Sequence, residues 1–138
     1  MVADAIQPTK GFQEPIIATT KGYMGLDKDD NSFNTELETL IGGAIGELVM
    51  QGVVVKEDFD LSESWIVVFP ELLKMHSTLH MVREYIALYT KIGFDPPLPK
   101  TLAMMEKRLD RLDYLLQAAM SKLHEEDGTD GQQPTSNP

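Results

Sequence analysis

The chain has 138 residues, 42% of them hydrophobic, a net charge of -10 and no cysteine. That length and apolar content suit one domain with a core of useful size. Without thiols there is no disulfide framework, thiolate metal cluster or cysteine nucleophile, and the acidic balance disfavours a nucleic-acid partner, whose phosphates are held mainly by clustered Lys and Arg.

The start, MVADAIQPTKGF, lacks the basic residues and apolar stretch of a secretory signal. The longest apolar run, WIVVF, is far short of the ~18 residues that span a bilayer, so the expectation is a cytoplasmic protein with no membrane partner. Residues 1–33 mix Pro8, Pro15, Gly11, Gly22 and Gly25 with the charged run DKDDNS and hold no sustained period. They are expected to be disordered, with local docking at most from Ile16, Ile17, Tyr23 and Met24.

A helical domain is expected over 34–124. Its first helix starts near Asn34 or Thr35, either of which suits a cap. Leu37, Leu40, Ile41, Ala44, Ile45, Leu48 and Val49 form one apolar stripe, and Gly52 closes the helix. Gly42, Gly43 and Gly46 run through its middle, each costing about 1 kcal/mol relative to alanine. A helix-crossing point would offset that loss by letting another backbone approach, either within one chain or between two subunits.

VVVKEDF then reads as an extended linker, and Asp60 with Glu63 as a capping box. The β-branched WIVVF suits a strand, but with no second strand to pair with it is read as a buried helical turn. A second helix is expected from a first turn at Pro70 to about Ile92, with Leu72, Met75, Leu79, Val82, Ile86 and Tyr89 at heptad spacing. After the stiff GFDPPLP, Leu102, Met105, Leu109, Leu112, Leu116, Ala119 and Leu123 repeat that spacing in a third helix. Leu115 and Met120 widen its apolar face, which favours folding back into a bundle over a two-stranded coiled coil. In the projecting alternative, Arg108 and Asp113 would pair across a parallel dimer. The polar EEDGTDGQQPTSNP, 125–138, reads as a disordered acidic tail.

Charge is uneven. The first helix and its linker carry Glu36, Glu38, Glu47, Glu57, Asp58, Asp60 and Glu63 against Lys56, whereas the third helix brings Lys100, Lys107, Arg108, Arg111 and Lys122. These faces could meet within the fold or between chains, or stand as two solvated faces. Chemistry is sparse. His76, His80 and Glu84 fall at i, i+4 and i+8, but a zinc site needs more ligands and no HExxH motif is present, so neither metal nor cofactor is assigned. His76 and His80 remain candidates for pH sensing beside an interface. His76 in KMHSTLHMV also prompts a phosphotransfer reading, from which the sequence departs by carrying leucine and His80 at the third and fourth following positions. No Ser-His-Asp spacing, P-loop or dinucleotide fingerprint occurs.

ETLIGGAIGELVMQG resembles the first helix of the small biofilm-development and acid-resistance regulators of enterobacteria, and FPELLKMHSTLHMVREYIALYTK follows them loosely. The resemblance implies a compact, dimeric three-helix regulator that binds other regulatory proteins. The linker Val53–Asp60, the third helix and both tails depart from that pattern.

The composite expectation is an all-α bundle of three to four helices, homodimeric, non-enzymatic and acting through protein contact in bacterial regulation. Its interface is expected at Gly42, Ile45, Gly46 and Val49 with Leu109, Leu112 and Leu116. The alternatives are a small acidic chaperone that grips an amphipathic client on the Met and Leu face of the third helix, and a metal-binding or phosphotransfer bundle.

Overall fold

The computed structural model describes residues 11–72 and 75–132. Among them the regular elements are all helical: α1 (Ile16–Tyr23), α2 (Asn34–Met50), α3 (Trp65–Val68), a 3-10 turn (Pro70–Leu72), α4 (His76–Phe94) and α5 (Pro99–Gln132). The expectations for residues 1–10 and for the tail beyond Gln132 lie outside the described residues.

At the centre α4 packs against α2 on one flank and α5 on another, while α1 lies on both α2 and α4. The apolar stripe of α2 is buried at Leu37, Ile41, Ala44, Ile45 and Leu48. α4 meets it with Leu79, Val82, Tyr85 and Ile86, and α5 closes the bundle with Leu112, Leu116 and Met120. Burying a Leu or Ile side chain contributes roughly 1.5–3 kcal/mol, so these contacts outweigh the weak helix propensity of the glycines in α2.

α2 ends as expected. Gly52 takes φ +101, its N–H bonds the Val49 carbonyl at 3.0 Å, and Val53 N–H reaches back to Leu48 O at 3.0 Å, which is a Schellman closure. Its start differs, because Phe33 holds the N-cap position and no side chain caps the helix. The Asp60–Glu63 pair is half a capping box: Glu63 Oε1 accepts from Asp60 N–H at 2.8 Å, but the Asp60 carboxylate turns to Ser62. WIVVF does form helix, over Trp65–Val68, with Trp65, Val68 and Phe69 buried. Pro70 then opens the separate 3-10 turn, and α4 begins only at His76, so the expected second helix is broken near its start. The break follows from i→i+3 bonding there, Leu72 N–H to Phe69 O and Met75 N–H to Leu72 O.

The expected disorder of 1–33 is corrected over 11–33. Phe12 and Ile16 are fully enclosed, and the orphan N–H groups of α1 are satisfied from across the chain, Ile16 by Glu63 O and Ile17 by Leu61 O, both at 3.0 Å. Arg83 stacks over the Phe12 ring at 4.3 Å. Lys21 is buried, at 2% exposure, and its ammonium donates to Lys28 O at 3.3 Å and Asn31 Oδ1 at 3.2 Å inside the turn that follows α1. At the other end α5 runs past the expected boundary at 124 to Gln132.

Phe12→Ala is expected to cost about 3–5 kcal/mol, because it empties a closed aromatic site. Urea unfolding measures it, and an unshifted midpoint would mean that the segment before α2 contributes nothing to the fold.

Candidate functional site

Two glycines set the crossing of α2 with α4, and each faces a side chain of the other helix. A Cβ on Gly43 would stand 3.2 Å from the Tyr89 hydroxyl, and one on Gly93 would stand 2.6 Å from Leu40 Cδ2. The sequence reading missed Gly93, whose signal is a lone glycine at the end of an otherwise helical pattern. Gly42 and Gly46 take no part in this crossing: nothing lies within 4 Å of where their Cβ atoms would be, and both are exposed.

The residues expected at an interface are therefore split. Gly42, Gly46 and Val49, 46% exposed, lie on open surface, whereas Ile45, Leu112 and Leu116 are enclosed in the core of a single chain. They are buried because α5 folds back on α4, so the heptad of α5 is spent on its own bundle. Leu109 is half-buried and lines a groove of about 280 Å³ with Leu40, Tyr89, Ile92, Gly93 and Glu106. A second groove of about 290 Å³ is lined by Met75, Ala119, Lys122 and Leu123.

The same fold-back accounts for the ionic contacts. Arg108 and Asp113, which the projecting alternative would pair between chains, each find a partner in their own. Arg108 grips Glu84 of α4 with two bonds, Nε to Oε2 at 2.7 Å and Nη2 to Oε1 at 2.8 Å, and these hold the Glu84 carboxyl below its ordinary value. Asp113 accepts from Gln51 Nε2. Burial pushes its carboxyl up, and the charges of Glu47 and Asp110 push the same way. Beside it the Tyr85 hydroxyl is pushed up to about 12, first by burial and then by Asp113 and Glu47.

Of the proposed His-His-Glu series, Glu84 is thus committed to Arg108. His80 packs edge-on to Phe12, ring centres 4.7 Å apart, with its Nδ1 3.4 Å from Arg83 Nη2. The side chain of His76 lies outside the described residues. Among the described residues no three His, Asp or Glu side chains converge as a metal site.

What α2 and α5 offer outward is contact surface. α2 exposes Glu36, Glu38 and Glu47 and has no Lys or Arg, while the outer side of α5 carries Lys100, Lys107 and Arg111. Among the described residues none of these six enters an ion pair. Large apolar side chains stand out beside them: Met50 is 82% exposed, Met104 65% and Tyr114 64%. No helix among the described residues is long and apolar enough to cross a membrane.

A protein family described as Phage connector protein matches the chain over residues 16–122. No curated protein and no solved structure matches it.

The Glu84–Arg108 pair carries a pH signature. Because the folded carboxyl titrates below its free value of 4.5, its stabilisation is present above that pH and is lost as pH falls through the folded value. Glu84→Gln should lose about 0.5–1 kcal/mol at neutral pH, a figure kept small by partial solvent exposure, and should show a flatter decline under acid. Thermal unfolding from pH 7 to 3 reads both. Asp113 has the opposite sign: its ionised form is penalised in the fold, so the shift in its carboxyl favours the folded state as acid protonates it.

Proposed function

The chain belongs to the phage connector protein family, and on that premise we propose that it is a structural, non-enzymatic component of a phage assembly. In this reading it joins other proteins of the particle through its helical surfaces and associates with further copies of itself. The observation that carries the reading is the reach of the match, which begins at the first residue of α1 and ends within α5. It takes in the packed bundle from Ile16 to Met120, so the relationship concerns the folded unit as a whole and not one helix.

The surface supports it. Exposed Met50, Met104 and Tyr114 give adaptable apolar anchors of the kind that protein contacts use, and opposite charges without an ion pair among the described residues stand on separate helices. The cytoplasm is its working place in this proposal, and the expected homodimer becomes an association of several copies. The regulatory reading drawn from ETLIGGAIGELVMQG shares the non-enzymatic, contact-based mode of action, but its support covers α2 and part of α4. The chaperone reading would use the Met and Leu face of α5, of which Leu112, Leu116 and Met120 are enclosed in the bundle and Met104 is exposed.

Mass spectrometry of purified particles of the encoding phage tests the proposal. The chain should be present in a fixed number of copies per particle, more than one. Its absence from particles that assemble normally would overturn the structural reading.

A further inference from the structure

We infer that the outer row of α5 in one copy docks on the outer row of α2 in a second copy, with Met104 entering the groove beside Leu40. This inference rests on the self-association proposed above and names the surfaces that perform it.

Two rows of side chains share one register. On α2, Glu36, Leu40, Gly43 and Glu47 fall at i, i+4, i+7 and i+11, and on α5, Lys100, Met104, Lys107 and Arg111 repeat the same intervals. Such positions lie on one helix face, and eleven residues at a rise of 1.5 Å place the end charges of each row about 16 Å apart. Two carboxylates on one helix therefore match two cations on the other in spacing and in sign. All four are exposed, and among the described residues none has an ion pair in its own chain.

The space between the end charges is also matched. Between Glu36 and Glu47, Tyr89 of the same chain covers Gly43, and beside it Leu40 lines the 280 Å³ groove with Tyr89, Ile92, Gly93, Glu106 and Leu109. Between Lys100 and Arg111 the surface projects, with Met104 65% exposed on a flexible, polarizable side chain. Burial of that thioether contributes to affinity, and the flanking ion pairs set register and orientation more than strength. Opposite charges at equal spacing, without an ion pair among the described residues, and a projecting apolar side chain opposite a largely apolar groove identify a second copy of this chain.

Charge reversal with light scattering tests the inference on the full chain. Lys100→Glu/Arg111→Glu and Glu36→Lys/Glu47→Lys should each bring the mass down from that of the assembly to that of a single chain. Mixing the two variants should restore association, because each then supplies the complement that the other needs. All four sites are on the surface, so helicity and unfolding temperature should stay near those of the parent. If a reversal does disturb folding, Met104→Asp serves in its place and should give the same loss of mass. An unmodified chain that stays a single copy would bring down the self-association reading together with this one. Assembly that persists in both reversals would overturn only the α2–α5 contact and leave self-association standing. Loss without recovery on mixing would also overturn the pairing of these two rows.

Discussion

Where α2 crosses α4, each helix omits a side chain so that the other can lay one down: Tyr89 lies over Gly43, and Leu40 lies over Gly93. The exchange brings the helices close enough for Leu37, Ile41, Ala44, Ile45 and Leu48 to be enclosed against Leu79, Val82 and Ile86. Everything else is arranged around that contact. α5 needs the free flank of α4, α1 needs the surface shared by α2 and α4, and α3 with the 3-10 turn fills the end where Trp65 and Phe69 stack. Each glycine costs about 1 kcal/mol of helix propensity, which several buried aliphatic side chains exceed severalfold. Gly42 and Gly46 cost as much and gain nothing inside the chain, so any packing role for them lies on the outer surface.

Much of the fold was legible because it is local and periodic. The stripe of α2, its closing Gly52, the helical turn in WIVVF and the third helix all follow from intervals of three and four and from a glycine at positive φ. The N-terminal segment was not legible, because α1 is held by distant partners. Its first N–H groups depend on carbonyls of Leu61 and Glu63, and Phe12 depends on Arg83 and His80. Eight residues without those contacts give no sustained pattern to read.

The candidate surfaces were legible in composition and not in placement. A heptad states that a helix buries one face but not whose helix covers it, and Leu112 and Leu116 turned out to face their own chain. The same ambiguity left open a contact of Arg108 and Asp113 between copies, where the fold gives them Glu84 and Gln51 of their own chain. Outside those inward groups stand the acidic residues of α2 and, on α5, the cations Lys100, Lys107 and Arg111 beside exposed Glu106 and Asp110.

The lysine enclosed behind α1 carries a consequence of another kind. An ammonium out of water is tolerated when oxygens surround it, and here the Lys28 carbonyl and the Asn31 amide oxygen do so within the acidic DKDDNS turn. The turn thus wraps a cation that the polypeptide itself supplies. Lys21 is also shielded from amine-acylating reagents for as long as that turn stays closed, whereas Lys28, Lys56 and Lys100 are open to them. The labelling ratio of this one amine is accordingly an internal gauge of N-terminal docking, readable by peptide mapping even when the chain is one component among many.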